Sequence, residues 1–354
     1  MRQVFVTGML RSGTSLLQML LTNHPQLFVA YQPFHQLYVD AKQMFLDEQG
    51  WKRLLPLGDG MHADSDEPER FARWLASRVL DVGEIGLLVS RATTGKGGGA
   101  VDFPPCALPE RATFLALRAC LHENLAAQFA KGAVEYAGAK EVLCEEYVPA
   151  LADARVRCFI IVRDPRAVVA SANHGRYREL VGDRYPLLML VRLWRKSAHA
   201  WLAMASHPMV TVLRYEDLVV NADRILDAIA GSLSIRAFPR DLLRSPLLDH
   251  RGAQWSGNSS FGDKPTIDAA SDSAWKALLS DAEARFIEAC TQAEMEGLGY
   301  VSIEPPRRDA ISDFVEDVAE VRPSYLKHYA LDRDNRRIEL ERWDAHSSKA
   351  MVSP

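Results

Sequence analysis

The chain is short of paired cysteine, of basic charge and of long apolar runs, and each shortage removes a class of function. Its five cysteines, Cys106, Cys120, Cys144, Cys158 and Cys290, are odd in number and contain no C-x-x-C pair, which argues against a disulfide framework and a thiolate metal site. Cys144 and Cys158 lie in apolar runs and read as reduced core residues. A net charge of −4 supplies no general basic field for nucleic acid or a polyanionic glycan. No apolar segment approaches the roughly 20 residues a membrane-spanning helix needs. A glycine-bracketed loop starting at Gly8 leaves no place for a secretory leader. The expectation is a cytoplasmic protein with no nucleic-acid partner, no membrane span and no metal cluster. At 354 residues and 48% hydrophobic, it can bury one substantial core.

A lysine is missing too, from the place where it would say most. Val4-Phe5-Val6-Thr7 runs into Gly8-Met9-Leu10-Arg11-Ser12-Gly13-Thr14-Ser15 and then the apolar Leu16-Leu17-Gln18-Met19-Leu20-Leu21. This pattern reads as strand, phosphate loop and helix. In a nucleoside-triphosphate loop, G-x-x-x-x-G-K-[ST], the lysine reaches the outer phosphates. Here Thr14 takes that place, and the loop's cation is Arg11. Glycines let the backbone approach an anion, amides of Ser12 to Ser15 at a helix start attract it, and Arg11 adds a delocalised charge. The bland reading is a tight turn capped by Ser12 or Thr14. Strand, cation and hydroxyl pair together favour a phosphate.

A second strand–helix junction supports the first. Arg157-Cys158-Phe159-Ile160-Ile161-Val162 ends at Arg163-Asp164-Pro165-Arg166, where Asp164 can cap a helix and Pro165 suits its first position. Arg163 then stands at a strand's carboxyl end, the edge where open α/β sheets collect ligands. Ser171 lies two turns into the helix. Alone, such an arginine pairs by default with a surface carboxylate.

The loop from Leu10 to Leu17, followed by Arg163 and Ser171 eight residues apart, resembles the sulfotransferase family, whose members use 3′-phosphoadenosine 5′-phosphosulfate (PAPS). A third segment, Val212-Leu213-Arg214-Tyr215-Glu216-Asp217-Leu218-Val219, is similar to the family's R-Y-E-D-L stretch. The resemblance spans about Val4 to Tyr300. It implies that Arg11, Ser12, Gly13, Thr14 and Ser15 hold the 5′-phosphosulfate, that Arg163 and Ser171 hold the 3′-phosphate, and that Tyr215 lies near the adenine. A late polar loop folds over the nucleotide in this family, which nominates Ser259, Ser260 and Lys264. The implied activity transfers a sulfuryl group to a small-molecule acceptor hydroxyl, without metal, leaving adenosine 3′,5′-bisphosphate. Many relatives place a glutamate base in an E-P context after the second strand, where this chain has Gln32-Pro33. Many also carry E-K-T-P after a later strand, where the chain is read as Glu145-Glu146-Tyr147-Val148. The candidate bases are therefore His35 and Glu145; histidine titrates near neutrality and suits such work.

Strand–helix alternation predicts a three-layer α/β fold, a mainly parallel sheet with helices on both faces. Expected elements include a strand over Leu27–Tyr31, broken helix over 41–80, helices over 114–130 and 186–205, and a strand from Glu141 to Cys144. Residues 1–300 form the expected domain, with an acceptor-side insertion at about 55–110, and 301–354 an extension. Two rivals stand beside the transferase. A P-loop nucleoside kinase or other NTPase calls for a lysine at position 14, and a nucleotide-binding module that has lost catalysis fits the missing bases.

Overall fold

Short apolar runs separated by glycine and proline become the strands of a parallel sheet, because each is followed by a segment that can cross back as helix. The computed structural model describes all residues except 63–64, 95–107, 176–183, 244, 246, 249–253, 256–272, 317–323 and 353–354. The chain divides into two compact units, the first holding Met1–Val162 and the chain that resumes at Ala203, the second beginning with Arg163–Leu202 and including the C-terminal helix.

The first unit runs β1 (Arg2–Thr7), α1 (Thr14–Thr22), β2 (Leu27–Tyr31), α2 (His35–Gln49), α3 (Glu67–Ser77), β3 (Val79–Leu80), α4 (Val82–Thr94), β4 (Ala112–Thr113), α5 (Phe114–Phe129), β5 (Tyr136–Lys140), α6 (Val148–Asp153), β6 (Arg157–Val162) and β7 (Val210–Arg214). Five strands form one sheet in the order β2-β5-β1-β6-β7, and every pairing in it is parallel. β3 and β4 pair separately and antiparallel, within the expected insertion.

Both faces of the sheet are covered. On one, Val4, Val6, Phe159 and Ile161 pack with Leu16, Leu17 and Leu20 of α1 and with Leu226 and Ile229 of the helix Ala222–Leu233. On the other, Phe5 stacks with Tyr38 of α2 at 5.7 Å, and Arg118 of α5 lies over the Phe5 ring. Arg118 is itself buried, donating to the Tyr38 hydroxyl at 2.8 Å, the Val4 carbonyl at 3.2 Å and Gln3 Oε1 at 3.3 Å, so its charge is spread over three acceptors. From β1 the chain crosses through α1 to β2 on one side, and from β5 through α6 to β6 on the other, so the carboxyl ends of these adjacent strands flank a topological switch point, where open α/β sheets form a ligand crevice.

One expected strand lies elsewhere. Glu141 to Cys144 is not β structure; the strand is Tyr136–Lys140, and Leu143 turns the chain at φ 60°. Tyr136-Ala137-Gly138-Ala139 is poor in β-branched residues, but a Cβ on Gly138 would come within 1.8 Å of the Val4 carbonyl oxygen. Close approach of β1 and β5 therefore demands the small residue that hides the strand from propensity.

In the second unit α7 (Pro165–Asn173) starts as expected, with the Asp164 carboxylate accepting from the Arg166 amide at 2.9 Å. Arg166 also pairs with Glu288 at 2.5 Å and lies over the Trp275 ring at 4.3 Å. Trp194 is core, and Trp201 is half-buried. The C-terminal helix Arg333–Val352 is tied down through charge: Arg195 meets Glu339 at 2.5 Å, and Arg342 pairs with Glu294.

Candidate functional site

The loop between β1 and α1 is shaped by its glycines. A Cβ on Gly8 would lie 2.3 Å from the Ile161 carbonyl oxygen, and one on Gly13, at φ 92°, would lie 2.3 Å from the Tyr215 ring. Gly13 is the N-cap of α1, and no side chain caps the helix. The capped-turn reading of Ser12 or Thr14 is therefore excluded. Ser12 is fully buried, its amide closes a turn onto the Met9 carbonyl at 3.2 Å, and its hydroxyl has no hydrogen-bond partner. That differs from the expected row of loop amides, since Ser12 offers its hydroxyl rather than its N–H. Arg11 adopts φ 65°, a left-handed conformation costly for any residue that carries a Cβ and concentrated at functional sites. Thr14 and Ser15 are buried at the start of α1, and the Tyr215 ring lies against Gly13.

The carboxyl end of β5 brings two residues that sequence reasoning missed. Lys140 is buried beside β1, registering with Val6, and its ammonium donates to Gln32 Oε1 at 2.6 Å. It also stands 3.8 Å from the Tyr31 ring centroid. Burial pushes the Lys140 ammonium down to about 7; Glu141 opposes the fall and Arg11 adds to it. Two cations, one from the loop and one from the next strand, thus share this edge of the sheet.

Glu141 is fully buried. Its Oε1 accepts from the Phe34 amide at 3.2 Å, and its Oε2 lies 3.3 Å from His35 Nδ1. The backbone adds a further tie, the Gln32 amide donating to the Lys140 carbonyl at 2.9 Å. Residues 32–35 are thereby fastened to residues 140–141, with Gln32 held at φ 41°. The sequence signal was an adjacent Lys-Glu closing a small apolar run, and the strand had been placed past it.

The remaining candidates divide as follows. Glu145 is buried in the single 3-10 turn Glu145–Tyr147 beyond the strand end. Arg163 and Ser171 belong to the second unit, both buried, with the Arg163 carbonyl accepting from Trp194 Nε1 at 2.7 Å. Ser259, Ser260 and Lys264 lie outside the described residues, as does Cys106. Among the described residues no group of three His, Cys, Asp or Glu could hold a metal, and no helix is long and apolar enough to cross a membrane.

No family model and no curated protein matches the chain. Solved structures that resemble it are sulfotransferases. The sulfotransferase domain of the curacin biosynthetic pathway is 20% identical, covering 85% of this chain and 99% of its own, at a TM-score of 0.47. The sulfotransferase domain of the Synechococcus olefin synthase is 17% identical over 85% and 95%, at 0.46. Mouse sulfotransferase SULT7A1, solved with PAP, is 12% identical over 83% and 84%, at 0.42.

Proposed function

We propose that the chain is a PAPS-dependent sulfotransferase acting on the hydroxyl of a small molecule. The observation that carries this reading is the loop itself: a buried, unpartnered Ser12 hydroxyl in a glycine-shaped phosphate loop that has Thr14, not lysine, after its second glycine. An anion's oxygen would satisfy that hydroxyl, whose burial without a partner otherwise costs about 1–3 kcal/mol. The three-motif sequence resemblance supplies the anion's identity.

In this mechanism the acceptor oxygen attacks the sulfur, a new S–O bond forms, and the bond from sulfur to the 5′-phosphate oxygen breaks. The electron pair leaves on the phosphate, where negative charge grows. Arg11 and Lys140 neutralise that charge, and residues 12–15 hold the phosphate in line. Lys140 suits this part because its burial removes water that would otherwise screen it. His35 accepts the acceptor's proton. By the sequence pattern, Arg163 and Ser171 select a 3′-phosphate and Tyr215 approaches the adenine.

Calorimetric titration with adenosine 3′,5′-bisphosphate and with MgATP, followed by transfer of radiolabelled sulfate from PAPS to a panel of hydroxylated metabolites, tests the proposal. Tight binding of the bisphosphate and labelled product are expected. Preference for MgATP would return the chain to the NTPases, and binding without transfer to any acceptor would mark an inactive module.

A further inference from the structure

His35 is the first residue of α2, and its imidazole is one-quarter exposed. Its Nδ1 is buried and faces Glu141 Oε2 at 3.3 Å. Neither atom has a hydrogen-bond partner among the described residues, and each stands within ion-pair distance of the other. The carboxylate cannot rotate away, because its second oxygen accepts from the Phe34 amide and its backbone amide donates to the Val6 carbonyl at 2.9 Å. A buried carboxylate accepts hydrogen bonds and gives none. A proton on the ring nitrogen facing it would complete that contact and leave the lone pair on the other nitrogen.

We infer that Glu141 is the positioning residue of a His35–Glu141 couple, fixing the imidazole as its Nδ1–H tautomer so that Nε2 takes the proton of the acceptor hydroxyl. This rests on the sulfotransferase reading for the identity of the reaction, but the tautomer itself does not. The proton passes from the acceptor oxygen to Nε2 as that oxygen bonds to sulfur and the leaving phosphate takes the electron pair of the broken bond. Glu141 stabilises the imidazolium that forms, the part a buried carboxylate plays behind the histidine of a serine hydrolase. The rigid support comes from the end of β5, an interior strand of the sheet, which Glu141 directly follows.

Glu141 has a structural task as well, since it meets the positive start of α2 through the Phe34 amide. Glu141→Gln separates the two tasks. The amide oxygen still accepts from Phe34, while the amide N–H turned toward His35 demands an acceptor at Nδ1 and forces the proton onto Nε2.

The test combines nitrogen NMR with kinetics. Long-range proton–nitrogen spectra of histidine-labelled protein at about pH 8, with His35 assigned by its loss in His35→Ala, should read Nδ1–H in the wild type and Nε2–H in Glu141→Gln. In the same variant kcat should fall about 10²–10⁴-fold, far more than KM for PAPS rises through the lost support of Lys140, with the thermal midpoint little changed. Glu141→Asp, which keeps the charge, should recover part of the loss. An Nε2–H tautomer in the wild type overturns the inference without any variant. So does a Glu141→Gln protein that loses only stability or only KM. If the wild type transfers no sulfate, the function fails while the tautomer still decides the couple.

Discussion

If the loop takes a nucleotide as proposed, Lys140 makes that binding a proton-linked event, and the size of the effect follows from its surroundings. Burial is the largest influence and lowers its pKa from 10.5 to about 7, with Glu141 opposing and Arg11 assisting. The folded value lies below the unfolded one, so the unfolded chain binds more protons between them and stability rises as pH climbs from about 7 to 10.5. Keeping the ammonium charged in the fold costs on the order of 5 kcal/mol, at 1.36 kcal/mol per unit. A phosphate seated in the loop beside Arg11 repays part of that by restoring the charge. At pH 8 the free protein holds about one-tenth of a proton on Lys140, and the complex nearly a whole one, so binding should take up about nine-tenths of a proton. At pH 6 the uptake should shrink to about one-tenth. Titrating adenosine 3′,5′-bisphosphate in buffers of different ionisation enthalpy measures it directly, the slope of heat against buffer enthalpy being the proton count. Lys140→Met should abolish the uptake at pH 8 and weaken binding, and the free variant should be more stable than wild type below pH 7. A slope near zero at pH 8 in the wild type, or an unchanged slope in Lys140→Met, would refute the reasoning.

Three further outcomes are expected. Arg163→Ala should weaken adenosine 3′,5′-bisphosphate by about 1.5–3 kcal/mol, the worth of a charge-assisted hydrogen bond, while adenosine 5′-monophosphate loses little; equal losses by calorimetry would make Arg163 structural. Sulfate transfer should persist in excess EDTA, because in the proposed mechanism Arg11 and Lys140 do the work that a magnesium ion does between phosphates; complete loss reversed by magnesium would revive the NTPase reading. In the second unit, Glu339 is buried and takes both Arg195 at 2.5 Å and Arg192 at 2.9 Å; burial raises its carboxyl, but the two guanidiniums hold it below the ordinary range. Its stabilisation is thus present above the ordinary carboxylate pKa and lost as pH falls through the lowered one. Glu339→Ala, which strands buried Arg195, should cost about 3–5 kcal/mol in urea unfolding, and a loss below about 1 kcal/mol would show that water reaches the pair.

How much of this could be read from residues alone differs between the two sides of the crevice. The shape of the loop between β1 and α1 was legible because its needs are local. Gly8 and Gly13 answer close contacts with Ile161 and Tyr215, and a glycine at a fixed spacing between an apolar strand and an amphipathic helix is visible without a fold. β2 and the start of α7 were legible for the same reason, one through five apolar residues before Gln32-Pro33, the other through Asp164-Pro165. The other side was not, because its chemistry depends on pairing. Ala137-Gly138-Ala139 has little β propensity of its own and becomes a strand because Val4 and Phe28 offer ladders on both sides. Val142-Leu143-Cys144 has more, and it loses because the chain must turn at Leu143. A slip of four residues along one strand moved the expected carboxyl end from Lys140-Glu141 to Glu145-Glu146. In a parallel sheet the strand end decides which side chains meet the ligand edge, so this slip concealed both the buried cation and the carboxylate behind His35. His35 itself was nominated for its titration range, but a histidine on the first turn of a helix has no assigned task until its buried nitrogen is given a partner. That partner is 106 residues away along the chain and 3.3 Å away in space, where only the register of β2, β5 and β1 can bring it.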